Sequence, residues 1–514
     1  MTDIRPDTRG LSLQETQMAE SGSIQNQPGF FSKRMEAVCR WSFRPVDIAP
    51  LVFFRIFFGL MMLYHIWVMT RDRWVQYFYI DPDFHFSYPG WSWLEPWPGI
   101  GMHIHFIVLM IAAVGISLGL FYRFSALTYF VGYSYVFLLE KSLYQNHCYL
   151  ICLLSGIMVV IPAHRACSLD CLLGRIKGSL VAPQWTLGLL RLQIAIPYFY
   201  GGLAKLNYDW LLTQPIGMWI QRRTDVPFLG GYLGEEWVAW AFAYGGLLFD
   251  LLIVPALMWR RTRIFAYLIA VGFHLTNAVL WEIGIFPWFM IGASLLFFPP
   301  HTFRRAAHLK EWAIISLPAP TRFSWGERLT VAVLALYVSW QLIFPFRHFL
   351  YPGNVSWNEE GHHFAWHMML REKNVGIRFY AYDPATNQRG LIKVEEFLNS
   401  RQLSRMGKDP DMVLEFVHYV RDHYREHRNT ELEIYVLNIA SLNGRKPQLL
   451  MDPRLNYAAV DRVWTPQPWV VPLTEPLPNE SWNRPLDQWE KILDLDIPEN
   501  MQLARIQQSP PHSH

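Results

Sequence analysis

The chain has 514 residues, of which 52% are hydrophobic and 17% are charged, and it contains 23 tryptophans. An ordinary soluble domain carries about 25% charged residues, so this composition excludes a typical soluble protein. The net charge of +3 is small and spread over loops, which gives no basis for binding nucleic acid. We therefore expect a membrane protein whose first partner is the lipid bilayer.

Residues 1–44 are predicted to form a polar N-terminal tail and an interfacial segment. The part up to about Gln27 is rich in Ser and Gln and has no positively charged stretch leading into an apolar core. Such a core is what defines a cleavable signal, so we expect the first membrane span to insert by itself.

Residues 45–346 are predicted to form a polytopic α-helical membrane domain. This region contains repeated apolar runs that are long enough to cross a hydrocarbon core as helices. The nine predicted spans lie near 51–70, 102–121, 125–139, 147–163, 187–205, 237–258, 264–281, 284–298 and 327–346.

The orientation follows from the basic residues, because positively charged loops resist translocation. With nine spans the four strongest clusters fall on one side, which predicts a cytoplasmic N-terminus and an extracytoplasmic region after about residue 347. The clusters are Arg34/Arg40/Arg44, Arg165/Arg175/Lys177, Arg260/Arg261/Arg263 and Arg304/Arg305/Lys310.

Residues 347–475 are predicted to form a mostly β extracytoplasmic domain, followed by a C-terminal tail over 476–514. Alternating segments such as "VGIRFYAYD" and "ELEIYVLNIASLNG" indicate strands. One helix is predicted in "DPDMVLEFVHYVRDHYREH", which begins at an Asp-Pro start signal.

No metal site is predicted. The five cysteines all lie in the membrane half, and the two CxxxC pairs are expected at opposite faces of the membrane, where they cannot complete one site. His363 and His367 have the spacing of a zinc-binding helix, but the acidic residue of HExxH is missing.

Four polar residues are predicted to gather near the outer face of the membrane. Lys205 follows the fifth span, His147 begins the fourth, and His274 and Asn277 lie one helical turn apart in the seventh. A lysine at a helix end commonly extends to the interface, and a lone histidine usually only packs. Their convergence instead favours a shared cavity, because polar groups within a membrane are costly and usually face an interior.

Three segments around these residues resemble one family. "YFYGGLAKLNYDW" is similar to the active-site segment of the vitamin K-dependent γ-glutamyl carboxylases and their HTTM-domain relatives. "NHCYL" and "FHLTNAVLWEIGIFPWFMIGASLLFF" resemble two further membrane segments of that family, and "SLNGRKPQLLMDPRLN" followed by "PWVVPL" resembles its soluble region. The resemblance spans roughly residues 45–475 in the same order.

The resemblance implies a function and a set of site residues. Lys205 matches the base that acts on reduced vitamin K, and His147 matches the histidine that assists the carbanion step. The remaining positions implied for binding quinone or substrate are Tyr198, His274, Asn277, Asn146 and Trp210. With O₂ and CO₂ as co-substrates, such an enzyme converts vitamin K hydroquinone to its epoxide and carboxylates glutamate γ-carbons of a peptide or protein.

The expected chemistry explains why an amine lies in a membrane helix. Apolar surroundings disfavour a charged ammonium, so a lysine among Leu203, Leu206 and aromatic side chains can become a neutral amine and act as a base. A lipid-soluble quinol would reach it from the bilayer, and a glutamate substrate would approach from outside.

The chain also departs from the animal enzymes of the family. It has Ala204 where they have a second lysine and Asn207 where they have an aspartate, and it lacks their interdomain cysteines. Two alternatives therefore stay open: a quinol epoxidase without protein carboxylation, and a non-catalytic quinone- or lipid-binding protein. A transporter is disfavoured because the inner halves of the spans contain few ionisable residues. The predicted location is a bacterial inner membrane, or the endoplasmic reticulum if the protein is eukaryotic.

Overall fold

The computed structural model of the chain describes residues 30–227, 230–281, 283–306, 322–463, 466–478, 480–482 and 484–489, together with Leu493 and Met501. The predicted polar tail up to residue 29 and most of the predicted C-terminal tail lie outside the described residues.

The first part of the chain is helical. Each of the nine predicted apolar runs lies on a helix. The helices are α1 (Phe30–Ser42), α2 (Ala49–Arg71), α3 (Gly101–Leu118), α4 (Tyr122–Leu139), α5 (Asn146–Val160), α6 (Leu169–Leu172), α7 (Gln184–Ala204), α8 (Tyr208–Leu211), α9 (Ile216–Gln221), α10 (Glu236–Met258), α11 (Arg263–Trp281), α12 (Phe286–Ser294), α13 (Pro300–Ala306) and α14 (Trp325–Ile343). A two-stranded antiparallel ribbon joins β1 (Pro45–Asp47) to β2 (Val181–Pro183).

Five helices in the described part of the chain are long and apolar enough to cross a membrane: α2, α3, α10, α11 and α14 with its 3₁₀ extension to Leu350. Helix α5 and the segment Phe286–Phe297 are apolar but shorter. Helix α7 is continuous but contains Pro197 and polar side chains such as Arg191 and Gln193. The chain is thus a multi-pass membrane protein with at least these five candidate spans.

The second part of the chain contains an antiparallel sheet of order β4-β3-β5-β6. Its elements are α15 (Val355–Asn358), β3 (Lys373–Asp383), β4 (Gln388–Leu391), α16 (Ser400–Met406), α17 (Pro410–Arg428), β5 (Glu433–Leu442) and β6 (Gln448–Leu449). The two predicted strand segments and the predicted helix are confirmed. Helices occupy more of this domain than the sequence analysis anticipated.

Local signals explain why α17 begins and ends where it does. The side chain of Asp409 caps its first turn by accepting from the backbone N–H of Asp411 at 3.0 Å, and Pro410 occupies the first helical position. Asn429 ends the helix in the left-handed conformation. The apolar face, which includes Val413 and Phe416, is buried against the sheet.

The two halves dock through buried polar contacts. The Asp209 carboxylate in α8 accepts from both terminal nitrogens of Arg445 at 2.6 and 2.7 Å and from the Asn443 amide at 2.7 Å. On a second side, the Lys141 ammonium pairs with Asp409 at 3.0 Å and with Asp411 at 2.8 Å. Because these charges are buried, Asp209 and Lys141 depend on partners that the other half of the chain supplies.

We expect Arg445→Met to destabilise the protein by about 3–5 kcal/mol, because it leaves the Asp209 carboxylate buried without its cation. Arg222→Met is the matched control, since Arg222 also pairs across the two halves, with Glu372, but its side chain is 57% exposed. An exposed pair contributes about 0–1 kcal/mol. Thermal unfolding of the detergent-solubilised variants measures both effects, and equal losses in the two would contradict the role assigned to Arg445.

Candidate functional site

One cavity of about 500 Å³ lies between the helical bundle and the C-terminal domain. Its volume is in the range of small-molecule sites. The helical side is formed by α5, α7 and α10–α12, and the opposite side by residues 359–373 and 405–412. The cavity is lined by all seven residues named from the sequence: Asn146, His147, Tyr198, Lys205, Trp210, His274 and Asn277.

Lys205 lies at the end of α7, and its side chain turns back into the bundle. The Nζ atom donates to the Asp250 carboxylate at 2.6 Å and to the carbonyl of Gly201 at 3.2 Å. Only 6% of Lys205 is exposed. Its amine lies level with residues 246–250 of α10, roughly 15–20 Å along that helix from its first residue. The side chain therefore does not extend to the surface as an interfacial anchor would.

Asp250 is the residue that sequence reasoning missed. The sequence analysis placed the amine among Leu203, Leu206 and aromatic side chains. The Trp210 ring does lie beside it, but Leu206 is 53% exposed and a buried carboxylate contacts the amine. Asp250 also lies in the second half of α10, which the sequence analysis took as the inner part of a span nearly free of ionisable residues. The sequence feature that could have identified Asp250 is the lone acidic residue in "GGLLFDLLIV", because a carboxylate within an apolar span usually has a function.

Two glycines allow α7 to approach α10 closely enough for this contact. A Cβ atom on Gly201 would lie 2.9 Å from the Met368 side chain and 3.2 Å from Asp250. A Cβ atom on Gly202 would lie 2.7 Å from the Leu251 side chain and 3.1 Å from its backbone nitrogen. The "GG" before Lys205 is thus a packing requirement, because any side chain there would push the two helices apart.

The residues after Lys205 position Trp210 beneath the amine. Asn207 caps α8 by accepting from the backbone N–H of Trp210 at 3.0 Å, and the Trp210 indole donates to the carbonyl of Ala243 at 2.9 Å. The Lys205 Nζ atom lies 5.1 Å from the centre of the Trp210 ring, within cation–π distance. Asn and Asp cap helices about equally well, so Asn207 preserves the local geometry despite the departure from the family pattern.

The Tyr198 hydroxyl and the His274 Nε2 atom form a hydrogen bond of 2.7 Å in the wall of the cavity. The other ring nitrogen of His274 is buried and has no partner among the described residues. Phe286 stacks on His147 at 5.8 Å and meets His274 edge-on at 6.1 Å between ring centres. The site thus places imidazole and phenol groups on an aromatic surface, as a flat aromatic ligand requires.

A roof segment over residues 359–373 closes the cavity from the C-terminal domain. Asn146 donates to the carbonyl of His367 at 2.9 Å and accepts from the Tyr144 hydroxyl at 3.0 Å. That hydroxyl in turn accepts from the backbone N–H of Phe364 at 2.6 Å. The start of α5, which carries His147, and the roof segment therefore share one hydrogen-bond network.

The roof end of the cavity is rich in cations. Arg371 and Lys373 pair with Glu359 at 2.5 and 3.5 Å. Arg405 and Lys408 also line the cavity but form no ion pair with any residue the structure describes. Burial, reinforced by Arg401 and Arg371, lowers the pKa of Arg405 to about 10, so its guanidinium stays charged at neutral pH.

The other basic groups at the roof end also have lowered pKa values. Burial lowers the pKa of Lys373 to about 8, although Glu359 opposes the shift. Burial lowers the pKa of Lys408 as well, aided by Arg405. It lowers the pKa of both His363 and His367 to about 3, so these imidazoles are neutral at pH 7.

Among the residues the structure describes, no group of three or more His, Cys, Asp or Glu side chains is arranged to hold a metal ion. His363 and His367 lie in the roof segment and not on a helix. The five cysteines are all free thiols in the described structure.

Two family models match the chain. Residues 43–301 match the HTTM domain, and residues 326–476 match the lumenal domain of vitamin K-dependent gamma-carboxylase. The first match covers the helical side of the cavity, and the second covers its roof. No solved structure matches the chain.

Proposed function

The chain belongs to the vitamin K-dependent gamma-carboxylase family, and we propose that it is a carboxylase-like enzyme of that family. In this proposal it converts reduced vitamin K and O₂ to the epoxide and uses the strong base so produced to carboxylate glutamate γ-carbons with CO₂. The observation that carries the proposal is a single cavity with Lys205 at its membrane end and, at its roof, Arg405 and Lys408, which have no ion-pair partner among the described residues.

The membrane end of the cavity fits a quinol. Its walls include Phe242, Phe273, Phe286 and Trp281, which suit a flat apolar ring, and the unpartnered nitrogen of His274 offers a polar contact. When bound there, reduced vitamin K supplies the reducing equivalents for O₂ and, after oxygenation, the base. The chain's own residues bind and orient the quinol and hold its proton.

We assign Lys205 as the group that takes a proton from a quinol hydroxyl. It lies in the wall of the cavity beside the aromatic side chains that would hold the ring, and a lysine amine can serve as a base in such a site. The Tyr198–His274 pair would orient the ring by hydrogen bonding and by its aromatic surface. Asn277, one helical turn beyond His274, offers an amide to the second oxygen.

The roof end suits a carboxylate. Arg405 and Lys408 line the cavity without ion-pair partners in the described part of the chain, so an anionic side chain there would offset the charge of the Arg405 guanidinium. A peptide glutamate arriving from the lumenal side would reach them first. We assign His147, at the start of α5, as the residue that assists the carbanion step.

We further propose that all nine predicted apolar runs cross the membrane, with the N-terminus in the cytoplasm and the C-terminal domain outside. The membrane would be a bacterial inner membrane, or the endoplasmic reticulum in a eukaryote. Asn354 in "NVS" is exposed and reports on this orientation. We expect glycosylation at Asn354 when the chain is expressed in a eukaryotic secretory system. Proteolysis of the C-terminal domain from the cytoplasmic side alone would contradict it.

Two alternatives have support from particular contacts. Glu359 already neutralises part of the cationic roof, which favours quinol epoxidation without carboxylation of a second substrate. The ion pair between Lys205 and Asp250 leaves no free amine at rest, which favours a non-catalytic quinone- or lipid-binding protein. The next two experiments separate these alternatives from the carboxylase.

The first experiment tests Lys205 as the base. We expect Lys205→Arg to lower epoxide formation from reduced vitamin K and O₂ by a factor on the order of 10²–10⁴, because a guanidinium remains protonated. This variant keeps a cation beside Asp250, so folding should be preserved. Lys393→Arg, at an exposed position in the C-terminal domain, is the control. Full activity of Lys205→Arg would overturn the assignment, and inactive wild-type protein that still binds the quinone would favour the non-catalytic alternative.

The second experiment separates the two half-reactions. We expect His147→Ala to reduce ¹⁴CO₂ incorporation into a glutamate-containing peptide by at least about tenfold more than it reduces epoxide formation, because His147 serves only the later step. Both products are measured in one reaction. Equal loss of the two products would contradict this role, and epoxide without any CO₂ incorporation by the wild type would favour the epoxidase alternative.

A further inference from the structure

The Lys205–Asp250 pair has properties that neither residue would have alone. The two side chains are each 8% exposed, and the Nζ and Oδ2 atoms are 2.6 Å apart, the distance of a short, charge-assisted hydrogen bond. The remaining contacts of the amine are the carbonyl of Gly201 and the Trp210 ring. Neither contact can accept a proton from it, so Asp250 is the only described group that contacts the amine and can do so.

We infer that Lys205 and Asp250 act as a dyad in which Asp250 takes a proton from Lys205 as Lys205 takes one from the quinol. This inference rests on the proposed function. It adds Asp250 as a positioning and proton-holding residue that acts on the substrate through the lysine.

The proton balance of the dyad is complete. At rest the pair is an ammonium and a carboxylate. The quinol O–H bond breaks and its proton moves to the lysine nitrogen, while the lysine passes one of its own protons to the Asp250 oxygen. The result is an ammonium, a carboxylic acid and a negative charge on the quinol oxygen, so the total charge does not change.

Proton transfer to Asp250 explains how a lysine that is already paired with a carboxylate can still act as a base. An ammonium paired with a carboxylate cannot accept a proton, but the pair as a unit can. The transfer also leaves a cation directly beside the new negative charge, at a site where water cannot screen it well. A lone neutral lysine would reach the same final charge on nitrogen but would have to lose its proton to solvent first.

The surroundings impose no competing charge on the pair from the helices packed around it. Met368 of the roof and Gly246 of α10 approach it from two sides, and the imidazole of His274 and the hydroxyl of Tyr198 hydrogen-bond to each other. Arg371 and Lys373 line the roof end of the same cavity and pair with Glu359. The dyad is therefore an isolated one-proton unit.

The test is difference infrared spectroscopy of the full chain, in which reduced vitamin K is added without O₂. We expect the wild type to lose a carboxylate absorption and to gain a carboxylic-acid absorption that shifts in D₂O. The new band should be absent in Asp250→Asn and displaced in Asp250→Glu. Glu236→Gln, an exposed position on the same helix, is the matched control and should leave the band unchanged.

Activity provides the second readout. We expect Asp250→Asn to lower the rate of epoxide formation about 10²-fold with little change in quinone binding, and Asp250→Glu to restore at least a tenth of the wild-type rate. If Asp250→Asn does not fold, the wild-type band and the Asp250→Glu variant still decide the matter. Wild-type protein that forms epoxide without the acid band would overturn the dyad and leave the proposed function standing. Wild-type protein that forms the acid band but no epoxide would support the dyad and overturn the proposed function.

Discussion

The Asp209–Arg445 ion pair is the interaction on which the rest of the structure depends. It is buried between the halves of the chain, and the roof of the cavity exists only when the C-terminal domain is docked. Asp209 lies four residues after Lys205 and one before Trp210, so a single short segment carries the interdomain contact, the amine and the ring beneath it. The docking of the soluble domain and the position of the amine are therefore set together.

The two ends of the cavity differ in charge, and because of this difference each end suits a different kind of ligand. At the membrane end, the Lys205–Asp250 pair is neutral as a whole and is surrounded by aromatic walls, which suits an uncharged, lipid-soluble ring. At the roof end, basic side chains outnumber acidic ones: the basic residues are Lys141, Arg371, Lys373, Arg405 and Lys408, and the acidic residues are Glu359, Glu372 and Asp409. An uncharged ligand and an anionic ligand would each find one favourable end, with His147 and Asn146 on the wall that connects the two.

Much of the site could be predicted from the sequence, because its residues lie in local patterns. The segment around Lys205, the start of α5 and the histidine turn of α11 each have a recognisable pattern, and the structure brings them to one cavity. Asp250 could not be paired with Lys205 in this way, since 45 residues separate them and only the glycine contact between α7 and α10 brings them together. The cationic roof was missed for a different reason: Arg405 resembles any exposed basic residue until the domains dock.

The departures from the animal enzymes fall where they leave the site geometry intact. Asn207 caps α8 as an aspartate would, so Trp210 keeps its place. Ala204 packs with Trp210 and Ile216 in a small apolar cluster and contributes no second amine. The amine in the cavity wall is therefore one lysine paired with one carboxylate. In the proposed mechanism Asp250 would do what no adjoining lysine can do in this chain, because it would receive a proton directly from Lys205.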